Sequence, residues 1–159
     1  MSVATPSVFS SRAALGRTRN LTAALVPVGR AMFVAIFLLA GRSHFDPGTI
    51  AYARSAGVPF AEFLVPASGV LAFLGGLSVL LGWRARVGAA MLVAFLVPVT
   101  FSMHAFWAVK DPMMAQIQFA MFMKNLGLLG GALLVAHLGA GPYSLDARRE
   151  AARSSRQGT

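Results

Sequence analysis

The chain has 159 residues, 57% of them hydrophobic and 12% charged, with a formal net charge of +9 and a mean hydropathy of +0.68. Ordinary globular chains carry about 25% charged residues, so this balance excludes a soluble domain. The absence of cysteine excludes disulfides, thiolate zinc sites, cysteine-ligated iron–sulfur clusters and thiol–disulfide exchange, so a redox role must borrow a cofactor or a partner protein.

Residues 1–22 are rich in Ser, Ala and Arg and hold no acidic residue. They read as a disordered basic tail in preference to an organellar transit peptide, and no small-x-small cleavage pattern follows the first apolar stretch. The first membrane helix is predicted near 23–43, interrupted by Arg30. One central arginine costs about 2.5–3.5 kcal/mol on insertion scales, and Leu, Val, Ile and Phe return roughly 0.3–0.6 kcal/mol each. The apolar residues flanking Arg30 bring the sum near zero, so the segment inserts.

Uncharged runs then extend over Phe63–Trp83, Val87–Val109 and Asn125–Leu145. Each is long enough to cross a hydrocarbon core of about 30 Å. Helices are predicted near 60–82, 86–108 and 115–138, the last carrying Lys124 against many aliphatic residues. Gly82–Arg86 reads as a tight turn, whereas Arg42–Pro59 is a long link whose centre, Thr49–Ser55, suits a short surface helix. Pro98 frees a carbonyl one turn back and bends the third helix. The fold class is therefore an all-α integral membrane four-helix bundle over residues 23–146, with basic tails at 1–22 and 147–159.

Charge placement orients the bundle. Arg12, Arg17, Arg19, Arg84, Arg86, Arg148, Arg149, Arg153 and Arg156 fall on one side of four crossings. Arg42, Arg54 and Lys110 on the other side are offset by Asp46, Glu62 and Asp111. The positive-inside rule puts both termini in the cytoplasm and makes the lipid bilayer, not nucleic acid, the partner of the basic excess. Small residues at Gly127 and Gly131, at Ala72 and Gly76, and at Gly75 and Gly82 suit close helix contacts, and self-association into a homo-oligomer is compatible with them.

Arg30, His104, Lys124 and Asn125 are costly inside a bilayer and must face a partner, a cavity or the interface. Thr100, His104 and Trp107 share a face of the third helix by spacing, as do Lys124, Gly127 and Gly131 on the fourth, which points Lys124 inward, within reach of Glu62 or His104. Arg30 aligns with Gly41 on an inward face. No pair among the three histidines has the i, i+3 or i, i+4 spacing of ligands on one helix, and Met113, Met114, Met121 and Met123 read as packing or lipid-facing residues. The sequence thus predicts no metal site and no covalently bound cofactor.

The order of Arg30–Gly41, His44-Phe45, Gly57-Val58-Pro59, Leu74-Gly75-Gly76, Leu81-Gly82 and Arg86 continues into His104-Ala105-Phe106, Lys124-Asn125-Leu126, Gly130-Gly131 and Gly139-Ala140-Gly141-Pro142-Tyr143-Ser144-Leu145-Asp146. Over residues 26–146 this resembles the DoxX family of small four-helix membrane proteins. The resemblance implies a multi-pass bacterial inner-membrane protein tied to redox work, since relatives form the membrane subunit of a thiosulfate:quinone oxidoreductase or join assemblies handling thiol and oxidative stress. A soluble redox partner or a sulfurtransferase is the partner it implies. Ala72 stands where the family often has an acidic residue before the Gly-Gly of its second helix, which removes a counter-ion for Arg30 or Lys124.

Two functions follow. The bundle is either a non-catalytic anchor or accessory subunit of a redox-linked complex, or it binds a quinone in its outer half. For the second, Lys124, Asn125, Arg30 and His44 are the ligand-binding candidates, and His104 is the catalytic candidate for proton exchange. Quinone reduction needs donors that stabilise a developing oxyanion and a group that exchanges a proton, a role imidazole fills.

Overall fold

The computed structural model describes residues 8–157, with side chains described from residue 22 onward. The described residues form helices α1 (Val8–Gly41), α2 (Pro47–Ser55), α3 (Ala61–Leu81), α4 (Ala85–Met103), α5 (Pro112–Leu138) and α6 (Leu145–Gln157), with 3-10 turns at Arg42–Phe45 and Phe106–Ala108. Four segments are long and apolar enough to cross a membrane: Thr22–Phe45, Ala61–Leu81, Ala85–Ala108 and Pro112–Leu138. These are the four crossings expected from composition. The short helix foreseen in the Arg42–Pro59 link is α2, started by Asp46, whose carboxylate accepts from Gly48 N at 3.0 Å.

Both segments read as tails contain helix. Residues 8–22 continue α1 toward the N-terminus, where Arg, Ala and Leu are strong helix formers; residues 1–7 and the side chains of Arg12, Arg17 and Arg19 lie outside the described residues. After Ser144 the chain forms α6, opened by a side-chain cap in which Ser144 Oγ accepts from Ala147 N at 3.1 Å. Such a cap satisfies one of the N–H groups a helix start leaves open. α4 ends at Met103, five residues before the predicted boundary, with His104 as its cap at φ −124°. Trp107 therefore sits on the following 3-10 turn, and the face shared by Thr100, His104 and Trp107 in a continuous helix does not exist.

Small residues set the packing, as lipid supplies no hydrophobic drive between helices. α1 runs antiparallel to α3. Gly76 lies against Phe37 and Leu38 toward the arginine end, and Gly69 lies under Gly41 and His44 further along. α3 and α4 meet backbone to backbone at Gly75, where an added Cβ would lie 2.9 Å from the Gly88 carbonyl oxygen. α5 packs on α4. The core is built from Val34, Phe37, Ala72, Val79, Ala89, Leu92, Leu96 and Ala132, and a second cluster of Ala53, Ala61 and Val65 seats α2 on α3.

The predicted glycine stripe of α5 is split. An added Cβ at Gly131 would come 2.9 Å from the Phe33 ring, whereas at Gly127 nothing lies within 4 Å. Gly131→Leu is therefore expected to lower the melting temperature in detergent, by an overpacking cost of about 1–3 kcal/mol, while Gly127→Leu leaves it unchanged. Equal melting of the two variants would mean that α5 is rotated from this packing.

Candidate functional site

The bundle has two differently built ends. At the arginine end lie the α3–α4 turn, the start of α6 and Arg30; at the far end lie α2, the 3-10 turns and the start of α5. A cavity of about 730 Å³ occupies the far half, lined by α1, α2, α3, α4 and α5. Its body is apolar, from Ile36, Phe37, Leu71, Phe95 and Leu128. Four of the five sequence-derived candidates, His44, His104, Lys124 and Asn125, line it together.

Each polar side chain has a distinct state. Asn125 is 5% exposed, and among the described residues its amide has no hydrogen-bonding partner, although it lines the cavity. Its polar atoms are not sealed off, as those of Arg30 are, so the amide is open to the cavity and free to bond what enters it. Lys124 does not point inward to Glu62 or His104 as expected; it is an exposed residue at the rim of the cavity. Glu62 pairs with Arg54 outside the bundle, and Lys124 Nζ contacts Met121 Sδ at 3.6 Å while its side chain flanks the cavity. A thioether is a weak acceptor, which leaves the ammonium available to a better one.

The two histidines share one proton arrangement. His44 Nδ1 lies 2.9 Å from the Ala40 carbonyl, and His104 Nδ1 lies 2.7 Å from Gln118 Oε1. Carbonyl oxygens only accept, so Nδ1 carries the proton in each ring and Nε2 is the nitrogen left over. His44 is further held by the edge of Phe95, ring centroids 5.6 Å apart. Gln118 Nε2 donates to Tyr52 Oη at 3.2 Å. The chain Tyr52–Gln118–His104 thus ties α2, α5 and the end of α4 together beside the cavity.

Gln118 and Tyr52 escaped the sequence reading. A signal was present: Gln118, Asn125 and Ala132 are spaced by seven and so share one face of α5, the face that Asn125 and Ala132 bury. Pro98 and Ala94 both line the cavity, and a proline leaves the carbonyl four residues back without its helical donor.

Arg30 is not part of this cavity. It sits six residues, about 9 Å of helical rise, toward the arginine end from Ile36, the first α1 residue in the lining. It is 6% exposed; Nη2 donates to the Tyr143 carbonyl at 2.7 Å, while Nε and Nη1 are buried without partners. The closing Gly139–Asp146 segment wraps around it. Asp146 accepts from Arg84 N at 2.9 Å and Ala85 N at 3.0 Å, capping α4, and its own N–H donates to the Gly82 carbonyl at 2.8 Å. The same carboxylate acts electrostatically on Arg30 without forming an ion pair with it, an effect smaller than that of burial. Arg84 and Tyr143 hold left-handed backbone at φ +49° and +53°, a strain of about 1–2 kcal/mol each that the Asp146 and Arg30 hydrogen bonds hold in place. Gly82, at φ +62°, admits no Cβ, which would collide with Ser144 and Arg30.

Four apolar crossings closed at one end by a polar clasp and opened at the other by a cavity define a multi-pass membrane protein with an internal site. The DoxX family model matches residues 25–105, and that of the SURF4 family matches residues 67–151. The chain is also 35% identical over 123 residues to "Inner membrane protein YqjF" of Escherichia coli (strain K12), covering 76% of this chain and 88% of that protein. The chain belongs to the DoxX family and is a multi-pass protein of the bacterial inner membrane. No solved structure matches it significantly.

Proposed function

We propose that this protein is an accessory membrane subunit that binds a lipophilic molecule with carbonyl oxygens, of the quinone type, in the far-half cavity. The observation that carries the reading is the unpartnered Asn125 amide in the wall of a mostly apolar cavity. The volume falls within the range of about 300–1,000 Å³ common for small-molecule sites. A quinone held there would have Asn125 Nδ2 and Lys124 Nζ as donors to its oxygens.

A quinone would supply the capacity to take up electrons and protons when bound. The residues of this chain position it and handle protons. Lys124 and Asn125 aim donors at the oxygen where negative charge grows, the free Nε2 of His44 or His104 holds or yields a proton, and Gln118 keeps the His104 ring in one orientation. Electrons would come from a soluble partner such as an oxidoreductase or sulfurtransferase subunit.

The test is equilibrium binding of a short-tailed benzoquinone to the purified protein in detergent. Saturable binding accompanied by a raised melting temperature is expected; no saturable binding removes the ligand reading and leaves the bundle as a non-catalytic anchor. We further propose that the arginine end faces the cytoplasm, from the surplus of arginines there. Reporter fusions after Asp146 should then read cytoplasmic and those within Gly48–Ser55 periplasmic, and the reverse pattern would invert the orientation.

A further inference from the structure

The arginine end carries a second arrangement of groups that neither the cavity nor the clasp explains. α3 ends at Leu81 and α4 begins at Ala85, so the turn between two membrane crossings places Trp83 at the level of the bilayer interface. Trp83 is 44% exposed. The Arg84 and Arg149 guanidiniums lie 5.8 and 5.9 Å from the centre of its ring. Two cations have therefore been brought to one aromatic ring from positions far apart in sequence.

Neither Arg84 nor Arg149 forms an ion pair within the described chain: Arg54 pairs with Glu62 at the other end, and both Asp146 oxygens accept from the backbone of Arg84 and Ala85. The arrangement is nevertheless built, not incidental. Arg84 is held in left-handed backbone by its hydrogen bond to Asp146. Arg149 lies three residues beyond Asp146 in the first turn of α6, which Asp146 N anchors to the Gly82 carbonyl. Ser78 Oγ donates to the Trp83 carbonyl at 2.6 Å and so fixes the turn itself.

Two guanidiniums gathered at one exposed ring suit an anion, and their planar forks match a phosphate better than any other common anion. The ring beneath adds cation–π attraction and, being a tryptophan, prefers the headgroup layer of a bilayer. We infer that the Trp83 turn, with Arg84 and Arg149 over its ring, is a binding site for the phosphate headgroup of an anionic phospholipid in the facing leaflet. The clasp then has a use besides closing the bundle, because it sets the position of both arginines.

The chain has two tryptophans, so the Trp107→Phe variant leaves Trp83 as sole reporter at the site. Full-length Trp107→Phe protein in a neutral detergent is titrated with short-chain phosphatidylglycerol, phosphatidylcholine or inorganic phosphate while Trp83 emission is followed. Expected is a saturable change with phosphatidylglycerol that phosphatidylcholine and inorganic phosphate do not reproduce. Arg149→Gln and Arg84→Gln should each weaken it about fivefold, the worth of one interfacial arginine, and Arg153→Gln by less than about twofold. Arg149 is on an exposed helix face, so its variant keeps the fold, as an unchanged melting curve will verify. An equal response to phosphatidylcholine, a full response to inorganic phosphate, or an Arg153→Gln loss as large as that of Arg149→Gln would each overturn the lipid site.

Discussion

Asp146→Ala is expected to cause the largest loss of stability of any single polar substitution in this protein, on the order of 3 kcal/mol or more in detergent unfolding. Three losses coincide. The first turn of α4 loses the acceptor for two of its N–H groups, the left-handed Arg84 loses the bond that holds its strained backbone, and buried Arg30 loses an opposing charge. Asp146→Asn keeps an acceptor oxygen but not the charge and should fall between wild type and alanine. The double variant Asp146→Ala with Arg30→Met separates the causes: recovery of part of the loss shows that uncompensated Arg30 charge contributed, and strict additivity would show that Arg30 and Asp146 act independently.

Asn125→Leu should have the largest effect on ligand binding and the opposite effect on stability. Leucine has the same number of side-chain heavy atoms as asparagine and removes an amide that has no partner in the folded chain, so the melting temperature should hold or rise slightly. Binding of the quinone probe should weaken about tenfold or more, because the ligand oxygen is then desolvated without its donor. Lys124→Met should also weaken binding while easing insertion, since a charge near the helix centre costs about 3 kcal/mol. His104→Gln should retain much of the affinity, as glutamine can still donate to Gln118, but should flatten the pH dependence of any coupled proton transfer. A folded Asn125→Leu protein that binds the probe as wild type does would remove Asn125 from the site and with it the main support for the proposed function.

The sequence by itself determined the membrane class, the four crossings and the polar residues lying within them, because transfer free energies of whole segments depend on composition and length and little on neighbours. It also named four of the residues that surround the cavity, since a cation, an amide or an imidazole in an apolar helix is conspicuous without coordinates. Only the tertiary structure decided how those residues are partnered. Lys124 was aimed at Glu62 by depth alone, yet Glu62 is turned outward to Arg54. Likewise His104 was read as part of a continuous helix, but α4 stops at Met103 and frees the ring to meet Gln118 from α5. Arg30 was grouped with the ligand residues because its inward face was legible; its clasp of Gly82, Tyr143 and Asp146 was not, being assembled from segments more than fifty residues apart in the chain. Helix phase is local and can be counted along one segment, whereas rotation about the helix axis and the choice of partner depend on which glycines admit a neighbouring backbone, and that is settled between helices.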